Sequence, residues 1–181
     1  MKKLSILLPL LIIALTLEAQ VARPKLIVGL VVDQMRWDYL YLYNEEYAPN
    51  GLKRLLNDGF SFENTHINYA PTVTAVGHTS AFTGSIPAIH GIAGNYFADN
   101  DKFVYCCDDA EAQTVGSTSK EGKMSPRRML TTTIGDQLKL ATDFRSKVIG
   151  IALKDRAAIL PAGHSADAAY WWDTSAGHFI S

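Results

Sequence analysis

Short apolar runs separated by polar breaks divide this chain into elements of both kinds. Leu26-Ile27-Val28-Gly29-Leu30-Val31-Val32 is apolar, β-branched and closed by Asp33, which predicts a buried strand. Between Gly51 and Gly59 the leucines at 52, 55 and 56 share one face of a short helix, with Gly59 free to take a left-handed C-terminal position. Phe60 to Tyr69 alternates as a second strand, and Pro71 opens a helix that runs through His78 to about Phe82 and stops at Gly84. Ser85 to Gly94 is a loop, and Asn95 to Tyr105 is a hairpin around Asp99-Asn100-Asp101. Asp108 to Pro126 is polar and reads as a mobile surface loop. Thr133 caps a helix over 134–142 with Ile134, Leu138 and Ala141 on one side. Val148 to Leu153 is a buried strand ending in Lys154-Asp155-Arg156. Ala168 to Trp172 and Gly177 to Ile180 form a strand pair turning at Asp173-Thr174-Ser175-Ala176.

This succession predicts an α/β fold, a largely parallel sheet with flanking helices. Ligands of such sheets sit beyond the C-terminal strand ends, which singles out Asp33 and the Lys154/Arg156 pair. There is no internal repeat, no Walker loop and no dinucleotide glycine pattern. Ser181 follows a strand directly, and an α/β sheet needs both faces covered. The chain therefore reads as the N-terminal part of a longer enzyme, incomplete at its C-terminus.

Composition adds class and compartment. With 181 residues, 48% apolar and 19% charged, the chain can hold one domain, and a net charge of −1 advertises no nucleic-acid-binding surface. Lys2 and Lys3 precede the apolar run Leu4 to Leu17, which is shorter than the roughly 20 residues a spanning helix needs. Residues 1–19 read as a signal peptide cleaved near Gln20, and 20–181 as the exported domain, with no stable membrane insertion after cleavage. The mature chain keeps 15 basic and 17 acidic residues, a net charge of −2. Export permits disulfides, but Cys106 and Cys107 are adjacent, and geometry disfavours a bond between neighbours.

The richest segment chemically is Asn68-Tyr69-Ala70-Pro71-Thr72-Val73-Thr74-Ala75-Val76-Gly77-His78-Thr79-Ser80. It puts hydroxyls at a helix start, where free N–H groups and the dipole stabilise an anion or a nascent alkoxide. With Asp33 at a strand end, this points to metal-assisted chemistry on a phosphate-like group. Each candidate has a plainer alternative. Asp33 could cap a turn, and Thr74 could only pack its helix. Thr72 could be the nucleophile or the N-cap. His78 could ligate a metal or be a satisfied helix histidine, and His66, His90 and His164 read as structural loop residues. Asn95 could be a turn residue or an amide donor to an anion. Lys154 and Arg156 could be a solvated pair or a two-pronged phosphate clamp. Trp171-Trp172 reads as core or hairpin packing rather than a substrate platform.

Four runs in order carry a family resemblance: Val31-Val32-Asp33-Gln34-Met35-Arg36-Trp37-Asp38-Tyr39-Leu40, the Asn68–Thr79 segment, His90-Gly91-Ile92-Ala93-Gly94-Asn95, and Lys154-Asp155-Arg156. Together they resemble the phosphate-irrepressible (PafA-type) alkaline phosphatases of bacteria, within the alkaline phosphatase superfamily, over nearly the whole chain from about Lys25. The resemblance implies a periplasmic or secreted phosphomonoesterase with two Zn2+ per complete site, acting on small phosphate monoesters. It implies Asp33 as a zinc ligand, and Thr74 as the nucleophile that contacts the same zinc and becomes phosphorylated. It also implies Asn95, Lys154 and Arg156 as holders of the phosphoryl oxygens. Members run to roughly three times this length, with the other zinc ligands in their C-terminal part, so the chain alone is expected to be inactive. A nucleotide phosphodiesterase of the same superfamily is the alternative enzyme, and a non-catalytic exported phosphate-binding module is an alternative of another class. A sulfatase needs a Cys/Ser-x-Pro-x-Arg pattern at the nucleophile, which Thr74-Ala75-Val76-Gly77 lacks.

Overall fold

The computed structural model describes residues 24–181, and the predicted leader lies outside the described residues. Two units divide the chain: one ends at Leu52 and the other runs Lys53–Ser181. Among the described residues no helix is long and apolar enough to cross a membrane.

In the first unit the run 26–32 is not a strand, which corrects the expectation. Leu26, Ile27, Val28 and Leu30 are all more than two-thirds exposed. Apolar, β-branched sequence favours extended backbone, but a strand exists only through a hydrogen-bonded neighbour, and among the described residues no strand pairs with this run. Asp33 lies exposed in the turn that follows, where Gln34 has φ 60°. Helix α1 (Tyr39–Leu42) comes next, and the Tyr47 hydroxyl donates to the Tyr39 carbonyl at 2.8 Å.

Helix α2 (Leu52–Asp58) forms where expected, but buries no residue. Gly59 is not left-handed, contrary to expectation. Phe60 to Tyr69 is irregular rather than a strand, and the Phe60 and Phe62 rings meet edge to face with centroids 5.0 Å apart. Helix α3 (Thr74–Thr83) starts three residues after Pro71 and stops at Gly84, as expected, where a φ of 66° makes a left-handed cap. The N-cap is Val73, not Thr72. Within the 85–94 loop, Pro87 opens the one-turn helix α4 (Pro87–His90).

The hairpin is as expected: β1 (Tyr96–Asp99) pairs antiparallel with β2 (Lys102–Tyr105), and Asn100 and Asp101 take the positive φ of a two-residue turn. The sheet beyond it has the order β3-β4-β5, formed by β3 (Ile149–Ile151), β4 (Ala168–Asp173) and β5 (His178–Ile180). β3 and β4 are parallel and β4 and β5 antiparallel. The crossover between the parallel strands is helix α6 (Asp155–Ala162), which the sequence reading did not anticipate. Its packing depends on Gly150: a Cβ there would collide with the Ala158 carbonyl and come within 3.0 Å of the Ala162 Cβ. Gly150→Ala is therefore expected to destabilise the fold by about 1–3 kcal/mol, the usual cost of overpacking. A urea-denaturation midpoint equal to that of the parent chain would contradict this.

Helix α5 (Ile134–Ala141) has the predicted Thr133 cap, reinforced as a capping box: the Asp136 N–H donates to Thr133 Oγ1 at 3.2 Å and the Thr133 N–H to Asp136 Oδ2 at 2.8 Å. The expected apolar face is turned outward. Ile134 is 67% exposed, while Thr133, Asp136 and Lys139, three residues apart, are buried. Their partners are polar. Ser165 donates to Asp136 from its N–H and hydroxyl, and Lys139 pairs with Asp167 at 2.7 Å. Burial pushes the Asp136 pKa up, but these donors outweigh it and hold it below the ordinary carboxylate value.

Residues 108–126 are tied down rather than mobile. The Ser117 and Ser119 hydroxyls each donate to Asp173 Oδ2 at 2.6 Å, Val115 and Ser181 exchange backbone hydrogen bonds, and Trp171 Nε1 donates to the Glu121 carbonyl at 2.9 Å. The serine donors, with the N–H groups of Ser175 and Ala176, hold the Asp173 carboxyl at about 2. Its folded pKa is depressed, so its contribution is present above the ordinary carboxylate range and is lost as pH falls toward 2. Trp171 is buried and Trp172 packs on Phe179, as expected of core and hairpin aromatics. The core cluster of the second unit joins Ala75, Ile92, Cys106, Cys107, Ala158, Leu160, Trp171 and Ile180.

Candidate active site

The start of α3 lacks a side-chain cap, because Val73 holds the N-cap position in extended backbone. The first-turn N–H groups must then find other partners. Asn95, twenty residues on, supplies one: the Ala75 N–H donates to Asn95 Oδ1 at 2.9 Å. That bond fixes which way the amide faces. Its Nδ2, with no protein partner among the described residues, is the donor left for an anion at the helix start. Asn95 is thus brought to the residue that follows Thr74. His78 Nδ1 donates to the Thr74 carbonyl at 2.9 Å, the satisfied-helix arrangement.

His90 is structural too. The Ile92 N–H donates to its Nδ1 at 3.1 Å, so its Nε2 carries the proton and donates to Ser80 Oγ at 2.9 Å. Burial lowers its pKa, consistent with a neutral ring that pins α4 to α3.

The hairpin leads from Asn95 to the second cluster. The Asn95 carbonyl accepts the Cys106 N–H at 3.0 Å, and the neighbouring Tyr105 lies opposite Tyr96. The Tyr105 hydroxyl donates to Asp155 Oδ1 at 2.8 Å and accepts from Arg156 Nη1 at 3.0 Å. Burial, then the Asp155 charge, push the Tyr105 pKa upward, so the phenol stays protonated. Burial lowers the Arg156 pKa, but the Tyr105 hydrogen bond and the Asp155 charge more than offset it, and the guanidinium stays charged. Arg156 is half-buried in the first turn of α6, and Lys154, its N-cap, is exposed. Both sit just past the C-terminal end of β3, as expected. Tyr105 and Asp155 were missed: no spacing pairs positions 105 and 155, and Asp155 read only as the spacer between two cations.

Cys106 and Cys107 are both free and buried, with Sγ atoms 3.9 Å apart. Its hydrogen bond with Cys106, followed by burial, raises the Cys107 pKa and keeps it a thiol. Clefts of about 440 and 510 Å³ lie elsewhere, the first lined by Asp99, Asp109 and Arg127 among others and the second by Ser117 to Ser119 and Ser175. Neither includes a predicted site residue. Asp33 belongs to the first unit.

For a metal, the donors nominated by the sequence are the Asp33 carboxylate and the Thr74 hydroxyl. Among the described residues no group of three or more His, Cys, Asp or Glu could hold an ion. A four-coordinate zinc site takes at least three protein ligands, so these residues do not complete one.

Residues 27–179 match the family model described as type I phosphodiesterase / nucleotide pyrophosphatase. The chain is 57% identical to the alkaline phosphatase PafA of Elizabethkingia meningoseptica, over 97% of this chain and 33% of the relative. It is 58% identical to the alkaline phosphatase PhoV of Synechococcus elongatus, over 89% and 30%. A crystal structure of wild-type PafA superposes with a TM-score of 0.86 at 60% identity, covering 88% of this chain and 31% of that one. A PafA variant, with one threonine changed to serine and one asparagine, one lysine and one arginine changed to alanine, superposes with the same score. The chain spans about a third of the length of the curated relatives it matches. The resemblance carried by the four motifs is borne out, and so is the alkaline-phosphatase-like α/β fold. With 153 consecutive residues matched and relatives this similar, the chain belongs to the type I phosphodiesterase / nucleotide pyrophosphatase family.

Proposed function

We propose that the chain is the nucleophile-bearing part of an exported, zinc-dependent phosphomonoesterase that works through a phospho-threonine. The observation that carries this reading is the Asn95 amide held on the first turn of the helix that Thr74 begins. Further support comes from the PafA variant: its changed threonine and asparagine are 21 positions apart and its changed lysine and arginine two apart. Thr74, Asn95, Lys154 and Arg156 show the same order and the same two spacings.

In this reading Thr74 Oγ attacks the phosphorus of a monoester dianion. As the Oγ–P bond forms the ester P–O bond breaks and the Thr74 hydroxyl proton passes, through solvent, to the departing oxygen; water later cleaves the phospho-threonine to phosphate and returns a proton to Thr74. The N–H groups at the start of α3 face the charge that builds on the phosphoryl group, Asn95 Nδ2 donates to one oxygen, and Lys154 and Arg156 meet the others. Asp33 and the Thr74 hydroxyl would each be zinc ligands, and the zinc would lower the hydroxyl's pKa. Residues 1–19 are a signal peptide in this reading, which places the mature domain, from Gln20, in the periplasm or outside the cell.

The test is p-nitrophenyl phosphate turnover with added zinc. One carboxylate and a neutral threonine cannot hold two dications, because affinity needs several deprotonated ligands at once. Residues 20–181 alone are expected to show no zinc-dependent turnover, and the full-length parent to show it. Robust activity from 20–181 would overturn the ligand assignment. The family's description favours one second reading, a nucleotide phosphodiesterase. The cationic clamp decides between the two.

A further inference from the structure

We infer that Tyr105 and Asp155 are positioning residues that keep the Arg156 guanidinium available to a phosphoryl oxygen, an inference that rests on the monoesterase reading. Asp155 is the immediate neighbour of both clamp cations. A carboxylate this near in space could pair with the arginine and offset its charge. It does not: among the described residues the ion pairs include neither Lys154 nor Arg156. The Tyr105 hydroxyl stands between them instead, giving its proton to Asp155 Oδ1 and its lone pair to Arg156 Nη1. One neutral group thus occupies the carboxylate and anchors one edge of the guanidinium. Arg156 Nε is buried with no protein partner, and so is Asp155 Oδ2. With Nη1 anchored and Nε enclosed by protein, Nη2, which is not enclosed and has no protein partner among the described residues, is the donor left for a substrate oxygen.

The anchor also links the two halves of the site. Tyr105 ends the strand whose next residue, Cys106, is hydrogen-bonded to the Asn95 carbonyl, and the Asn95 side chain holds the start of α3. The spacing between the Asn95 amide and the Arg156 fork is therefore set through the hairpin.

Tyr105→Phe removes both hydrogen bonds and keeps the ring that packs on Tyr96 at 5.0 Å. In the full-length parent it is expected to lower kcat/KM for p-nitrophenyl phosphate on the order of tenfold. Bis-p-nitrophenyl phosphate turnover should change less than about threefold. The double variant Tyr105→Phe/Arg156→Ala should be no worse on the monoester than Arg156→Ala, because a positioning residue has nothing to act through once the arginine is gone. Equal losses on both substrates, or losses that add in the double variant, would show Tyr105 to be merely structural and overturn the inference. If Tyr105→Phe does not fold, Asp155→Asn is read on the same two substrates and in the same cycle with Arg156→Ala, with the same outcomes for and against. Failure of the underlying reading looks different: Arg156→Ala itself would then lack monoester selectivity.

Discussion

Thr74→Ala is expected to abolish phospho-enzyme formation in the full-length parent, and Thr74→Ser to keep part of it. Both hydroxyls can be activated as nucleophiles, whereas alanine offers no oxygen to form the P–O bond. Turnover of p-nitrophenyl phosphate should fall by at least about 10³-fold in the alanine variant, the scale on which removing a covalent nucleophile acts. The structure sharpens the contrast with Thr72. That residue is exposed and does not cap α3, whose N-cap is Val73. Thr72→Ala should therefore sit within the roughly 0.5 kcal/mol range of ordinary surface changes rather than losing the stability of a cap. Labelled phosphate trapped at low pH and located by peptide mapping measures both. Label retained in Thr74→Ala and lost in a well-folded Thr72→Ala would move the nucleophile to the other threonine.

The second large effect belongs to the clamp. A monoester dianion presents three terminal oxygens, so two cations have charge to meet. A diester carries a second organic group on one of those oxygens and has less charge. Charge-assisted contacts are worth roughly 1.5–3 kcal/mol each. At 1.4 kcal/mol per decade, Lys154→Ala/Arg156→Ala should lower monoester kcat/KM by on the order of 10²-fold or more and leave diesterase activity little changed. Lys154 is exposed and Arg156 half-buried on a protein anchor, so most of the loss should come from the arginine. The check is kcat/KM on p-nitrophenyl phosphate beside bis-p-nitrophenyl phosphate in the full-length parent. Equal losses on the two would make the pair a support of the fold and raise the phosphodiesterase reading to first place.

Elements fixed by local chemistry were the legible ones. The Gly84 cap, the Asn100-Asp101 turn and the Thr133 capping box each follow from what one or two residues can do with their own backbone. What depends on distant partners was not legible. The apolar runs at 26–32 and 60–69 look like strands, but pairing is a property of two segments. Helix α5 misled for a related reason: Ile134, Leu138 and Ala141 read as its packed side, yet Ser165 and Asp167 give Asp136 and Lys139 buried partners on another. Motif order nominated Thr74, Asn95, Lys154 and Arg156, while the Tyr105–Asp155 bond arises from fifty intervening residues folding back and leaves no trace in spacing.

Strand β3 has a bearing on how this chain behaves in company. Its sheet partner is β4 alone, so among the described residues its other backbone edge is bare, and Ile149 and Ile151 flank that edge at 57% and 69% exposure. The opposite margin of the sheet is closed by Val115, which shares two hydrogen bonds with Ser181 just past β5. A bare, apolar margin with no proline or lysine within the strand is a template on which any extended segment can crystallise as a further strand. In concentrated solution two copies of this chain should therefore be able to pair edge to edge through β3.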